Sequence, residues 1–305
     1  MTFPSGEQWT IRRGGQEATV VEVGGGLRRY AVDGVDVVAG YGEDEVATYG
    51  RGQLLMPWPN RIRDGKYTFD GVERQLALTE PAKQNASHGL VRWAPWRVTE
   101  RGEDAITVNT RLFPQSGWPG VLDLTVRYAL GDDGLTVTSA ATNAGDGSVP
   151  FGYGAHPYVA IGDTPLAEVV LELPADTEVL VDERSLPVET VAVRPEDDFR
   201  TARALGTTSL DTAYTGLARD AASGRWEVTV SGLRDRGPVT VWGDDAFTWT
   251  QVFTAKGADD EPGERGIAVE PMTCPADAFN SGQGLVVLAP GDSWSGTWGI
   301  APSLG

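Results

Sequence analysis

Leu122-Asp123-Leu124-Thr125-Val126-Arg127-Tyr128-Ala129-Leu130-Gly131-Asp132-Asp133-Gly134-Leu135-Thr136-Val137 decides the fold. Leu122, Leu124, Val126 and Tyr128 share one face of an extended chain, and Asp123, Thr125 and Arg127 share the other. After the Asp133-Gly134 turn, Leu135 and Val137 continue the alternation, so the segment reads as a β-hairpin with one buried face. Further Asp-Gly pairs stand at Asp33-Gly34, Asp64-Gly65, Asp70-Gly71 and Asp146-Gly147, and such pairs readily take the positive backbone dihedrals of tight turns.

The same reading pairs strands at Arg29 to Val32 with Val35 to Val38, Lys66 to Phe69 with Glu73 to Leu78, and Trp226 to Val230 with Val239 to Trp242. A last pair is expected at Leu285 to Leu288 with Ser293 to Ile300. Helical periodicity is confined to Glu196 to Leu205 and Leu217 to Ala222, each long enough for one short helix. The fold class is therefore all-β: a large antiparallel sandwich with few short helices, spread over residues 1–305 as one domain. A division near residue 145 is the alternative.

The chain carries 43 acidic and 25 basic residues, a net charge of −18. That field repels a phosphate backbone and argues against nucleic acid as a partner. It also favours a neutral small ligand over a phosphorylated one unless arginines cluster locally. Cys274 is the sole cysteine, which excludes an intrachain disulfide and points to a reducing compartment. No signal-like segment occupies Met1 to Gly15 and no run of eighteen apolar residues occurs, so a soluble cytoplasmic protein with no membrane partner is expected.

Candidate chemistry gathers at a few places. His88 and His156 are the only histidines, and both lie in glycine-flanked loops. The glycines before His156, in Gly152-Tyr153-Gly154-Ala155-His156-Pro157-Tyr158, would let backbone approach a ligand. Arg61 follows the proline-stiffened run Met56-Pro57-Trp58-Pro59-Asn60 and is either a surface charge stacked on an aromatic ring or a fork that binds ligand hydroxyls. Trp58 is either core or an apolar platform for a ring. Asp211 and Glu270 stand out among the carboxylates. Glu270 ends the apolar run Gly266-Ile267-Ala268-Val269, where burial raises the pKa of a carboxyl toward that of a useful base.

The order of these pieces resembles that of aldose 1-epimerases, the galactose mutarotase-like family. The pieces are Asn60-Arg61-Ile62, His88-Gly89, His156 with Tyr158, Leu210-Asp211 with Tyr214, Gln251-Val252-Phe253-Thr254, Glu270-Pro271 ahead of Ala278-Phe279-Asn280, and Leu288-Ala289-Pro290-Gly291. The resemblance implies a β-supersandwich and a cofactor-independent isomerase that interconverts the α and β anomers of a free sugar, as a monomer or homodimer. By the family's pattern Glu270 is the base and His156 the acid. Arg61, His88, Asp211, Gln251, Asn60 and Trp58 bind the sugar, and no metal takes part. Leu90, Ala155 and Val159 depart from the pattern at positions expected on the pocket wall.

Three other readings stay open on sequence. A hexose-6-phosphate 1-epimerase would need Arg63, Arg92 or Arg97 to converge beside Arg61. A sugar-binding sensor would keep the fold without the chemistry, and a glycosidase would use Asp211 and Glu270 as its carboxylate pair.

Overall fold

The computed structural model describes residues 3–254 and 266–303. Leu122–Gly131 and Gly134–Asn143 pair antiparallel in register from Leu122↔Asn143 to Gly131↔Gly134. Leu122, Leu124, Val126, Tyr128 and Leu130 are buried, while Arg127 on the other face is exposed. Each such side chain contributes about 1.5–3 kcal/mol of burial free energy. The hairpin sits within a nine-stranded antiparallel sheet. The strand Ser293–Pro302, which follows most of the sandwich in chain order, pairs with Gly134–Asn143 on one side and Val239–Gly243 on the other. Hydroxyl pairs between Thr138 and Thr297 and between Thr142 and Ser293 line its polar face.

The second large sheet has eight strands. Its central order is Asp211–Leu217, Trp249–Phe253, Gly266–Met272, Gly154–Ala155 and Leu54–Leu55. A four-stranded sheet, Gln8–Arg13 through Val35–Asp36, and short ladders such as Arg61–Arg63 with Asn85–Ser87 complete the architecture. One apolar cluster joins the sheets, with members from Trp9 to Ile300. Tyr153 ties the layers together: its hydroxyl accepts from Trp298 Nε1 at 2.9 Å and meets Ser139 Oγ at 3.0 Å.

Three of the five Asp-Gly pairs, at 33, 64 and 70, have both residues at positive φ, as a tight mirror-image turn requires. The two expected helices are absent. Residues 195–197 form a 3-10 turn, after which the Asp198 carboxylate accepts the Arg200 N–H, and Arg203–Ala204 is a strand. Leu217 instead ends the strand Asp211–Leu217, and Asp220 accepts from the amides of Ala222 and Ser223. In both places a local Asp-to-backbone bond competes with helix formation. The expected hairpin at 285–300 is also corrected. Val286–Leu288 pairs with Val149–Phe151, because the Ala289–Asp292 turn carries the chain from one sheet to another.

The sole α-helix among the described residues, Ala278–Ser281, is four residues long. None of their helices is long and apolar enough to cross a membrane. Cys274 is buried, and burial pushes its thiol pKa up to about 12, so it stays protonated.

Candidate active site

A cleft of ≈ 460 Å³ is lined by residues from several neighbouring strands of the eight-stranded sheet and from the loops beside them. Glu270 projects into it from Gly266–Met272, a strand buried along its whole length. The neighbouring Gly154–Ala155 strand delivers His156, whose backbone is fixed at both ends: its N–H donates to Gln53 O at 3.1 Å and its carbonyl accepts from Gly52 N at 2.9 Å. His156 Nε2 and Glu270 Oε1 consequently lie 3.3 Å apart at the cleft floor, and Tyr158 stacks on the imidazole with ring centroids 5.0 Å apart.

The glycines before His156 have a different use from the one expected. A Cβ on Gly152 would come within 2.5 Å of Cys274 Sγ, and one on Gly154 within 2.8 Å of Pro59 Cβ. They allow segments of the protein to pack closely against each other.

Arg61 and His88 come from the short ladder Arg61–Arg63 with Asn85–Ser87. Asn60 and His88, the residues just beyond that ladder, both have left-handed backbones, with φ of 51° and 61°, and His88 N–H donates to Asn60 O at 2.8 Å. Such conformations cost non-glycine residues about 1–3 kcal/mol and concentrate at functional sites. Here they turn both side chains toward the cleft. The His88 and His156 rings meet edge to face, centroids 5.7 Å apart. Arg61 is held by Glu80 through two bonds, Nε to Oε2 at 2.8 Å and a second guanidinium nitrogen to Oε1 at 3.1 Å.

Asp211 sits at the cleft edge, exposed to solvent. It accepts from Gln251 Nε2 at 2.7 Å, and Gln251 Oε1 accepts from Asn60 Nδ2 at 3.3 Å. Gln251 does not line the cleft itself. It faces a cavity of ≈ 20 Å³ behind it and braces Asn60 and Asp211. Trp58 is also not at the cleft: it is 2% exposed and packs edge-on against Phe279 within the core. Leu90, Ala155 and Val159 are likewise absent from the cleft wall. Residues that sequence reasoning passed over include Tyr49, Glu80, Lys83 and Trp93, all of which line it.

The three arginines named for a phosphosugar separate. Arg92 lines the cleft. Arg63 turns to Asp277 and Asp182, at 3.6 and 3.9 Å, and Arg97 lies on an edge strand of the nine-stranded sheet.

Burial dominates the electrostatics. It pushes the Glu270 carboxyl well above the usual range, Asp211 adds to the rise, and Arg61 opposes it. His156 falls to about 3 through burial, with Arg51, Arg61 and Arg92 contributing. His88 is also lowered well below its usual value, again by burial first. A free-imidazole pKa near 6.5 therefore does not describe His156. Glu270 Oε2, His156 Nδ1 and His88 Nδ1 are buried with no hydrogen-bond partner among the described protein groups, so they are positioned to bond to a ligand's polar atoms. No group of three or more His, Cys, Asp or Glu among the described residues could hold a metal ion.

A buried Glu270–His156 contact at the floor of a polar cleft is set in a galactose mutarotase-like β-sandwich. The chain belongs to the aldose 1-epimerase family, whose model matches residues 7–301. It is 33% identical over 289 residues to the uncharacterised protein YihR of Escherichia coli (strain K12), covering 94% of this chain and 90% of that one. In structure it is similar to a galactose mutarotase-like protein of Clostridium acetobutylicum, with a TM-score of 0.81, 18% identity and coverage of 95% and 93%. It is also similar to a galactose 1-epimerase from Lactobacillus acidophilus NCFM, with a TM-score of 0.77, 19% identity and coverage of 97% and 95%.

Proposed function

We propose that the protein is a mutarotase, interconverting the α and β anomers of a free aldose by acid–base opening and closure of the ring. The observation that carries this reading is the buried contact of 3.3 Å between Glu270 Oε1 and His156 Nε2. The hydroxyl and the ring oxygen of a hemiacetal share one carbon, so the base and the acid that serve them must be close neighbours. Both groups belong to the protein, and the reaction needs no cofactor.

In the proposed cycle the proton that burial keeps on Glu270 first passes across the 3.3 Å contact to His156, after which the Glu270 carboxylate takes the proton of the anomeric hydroxyl and imidazolium His156 gives its proton to the ring oxygen. The bond between the anomeric carbon and the ring oxygen breaks, leaving an aldehyde. Rotation about the bond between the first two carbons presents the other face. On closure Glu270 gives its proton back to the aldehyde oxygen and His156 takes a proton back from the hydroxyl that re-forms the ring, as microscopic reversibility requires. His88, Arg61, Asn60 and Asp211 hold hydroxyls, with Gln251 bracing the last two from behind. One apolar cluster reaching from Trp9 to Ile300 supports treating the chain as a single domain.

The active pair holds one proton in either arrangement. Glu270 is raised, so the pair loses that proton only as pH climbs through a value well above the carboxylate range. His156 is lowered to about 3, so a second proton joins only as pH falls toward that value. The expected kcat/KM profile is flat through the region near pH 6.5 where a free imidazole titrates. An inflection there that disappears in His156→Asn would contradict this assignment.

The first test is the rate at which wild-type protein equilibrates α-glucose and α-galactose, followed by polarimetry or saturation-transfer NMR. Acceleration over the buffer rate is expected. Failure to accelerate exchange of any free aldose would overturn the mutarotase reading.

A further inference from the structure

Arg92 stands apart from the other cations of the cleft. Arg61 is clamped by Glu80, and Lys83 donates to Ser185 Oγ at 2.7 Å. Arg92 lines the cleft partly buried, yet its side chain makes no ion pair or hydrogen bond among the described residues, only a stacking contact over Trp93 at 5.7 Å. Burial alone acts on its pKa, pushing it down. A partly desolvated guanidinium without an anion is costly, and its planar fork matches carboxylate and phosphate groups.

Its position in the strand order decides which part of a bound sugar it would face. Across the eight-stranded sheet, Asp211 opens the first of five neighbouring strands and Glu270 lies on the third. His156 follows the fourth, Gly154–Ala155, and Gln53 precedes the fifth, Leu54–Leu55. Gln53 Nε2 donates to Arg92 O at 3.3 Å, which places Arg92 beside the residue that precedes the fifth strand. The sequence of groups is thus Asp211, Glu270, His156, Arg92. In an aldopyranose the ring oxygen joins the anomeric carbon to C5, which bears C6. With Glu270 at the anomeric hydroxyl and His156 at the ring oxygen, Arg92 falls on the side of C5 and its substituent.

We propose that Arg92 binds an acidic group at C6 of the sugar, so that the preferred substrate is an aldopyranose with an anionic C6 substituent. This inference rests on the roles given above to Glu270 and His156. The shared chemistry is a singly or doubly charged oxyanion, as in a hexuronate or a hexose 6-phosphate. The overall charge of −18 works against such a ligand at long range, and salt screens that repulsion beyond about 8–10 Å. Arg92 acts at contact distance.

The test compares glucose, glucuronate and glucose 6-phosphate on wild type, Arg92→Gln and Arg92→Lys, by saturation-transfer NMR for exchange and by calorimetry for binding. Wild type is expected to favour at least one anionic sugar by tenfold or more in kcat/KM. Arg92→Gln should lower that value at least tenfold more than it lowers the value for glucose, with Arg92→Lys between the two. A preference for glucuronate identifies a carboxylate seat, and one for glucose 6-phosphate a phosphate seat. Equal or better exchange of glucose by wild type overturns the inference and leaves the mutarotase reading standing, as does an equal loss for all three sugars in Arg92→Gln. Anionic sugar that binds wild type but not Arg92→Gln, with no exchange accelerated, keeps the inference and overturns the mutarotase reading. No binding of either anion overturns the inference.

Discussion

Glu270→Gln is expected to slow anomer exchange by about 10²- to 10⁴-fold, the usual worth of a positioned general base. The substitution keeps size and shape. The Gln amide can still donate toward His156 Nε2 across the present 3.3 Å contact, so the fold should survive and only proton abstraction should be lost. The pH dependence of stability gives an independent check on the electrostatics. The folded-state pKa of Glu270 is raised, so the unfolded chain gives up this proton first, from about pH 4.3 upward. Wild type therefore loses stability relative to Glu270→Gln as pH rises from there toward the raised value. Parallel denaturation curves for the two proteins across that range would show that Glu270 is not held protonated. Combining Glu270→Gln with His156→Asn should cost little more than either change alone, because the two groups act as a unit.

Gly89→Ala is expected to remove about 3 kcal/mol of stability, at the upper end of what overpacking and a disfavoured backbone each cost. Gly89 has a φ of +69°, and an added Cβ would lie 2.0 Å from Met56 O and 2.4 Å from Met56 C. Those are backbone atoms, and Leu90 N–H already binds the same carbonyl at 2.7 Å, so no side-chain rotation relieves the overlap. Any relaxation moves His88, the adjacent residue, and activity should fall with stability. Gly71→Ala separates the two costs, since φ there is +73° and nothing lies within 4 Å of the new methyl group. Thermal unfolding of both variants is the measurement. Equal destabilisation would mean that backbone conformation, and not the close approach to Met56, makes Gly89 necessary.

The fold was legible where its cause is local. Alternation over residues 122–137 and the Asp-Gly turns depend on near neighbours, and the all-β class followed from them. The false helices and the misassigned hairpin at 285–300 failed because a competing Asp-to-backbone bond, or pairing with a distant strand, outweighed local pattern. The candidate site divides in the same way. Glu270 could be picked out by its place at the end of an apolar run, and the two histidines by their scarcity. All three line one cleft together with Arg61, Asn60 and Asp211. Glu80 carried no such signal. Its partner Arg61 lies 19 residues away, and only the turn at 81–83 and the ladder beside it bring the two together. Gln251 and Trp58 carried signals that were right about proximity and silent about depth, which depends on packing from segments distant in sequence.

The place of the strand Ser293–Pro302 between Gly134–Asn143 and Val239–Gly243 bears on how the protein is made. During synthesis its two neighbours emerge well before it, each with an unpaired edge of main-chain donors and acceptors. The nine-stranded sheet stays open down its middle until this segment leaves the ribosome. Contacts between residues so far apart in sequence also form slowly, and open strand edges invite pairing with other chains in the interval. The alternating Thr and Ser hydroxyls on one face of this seam keep half of the waiting surface compatible with water.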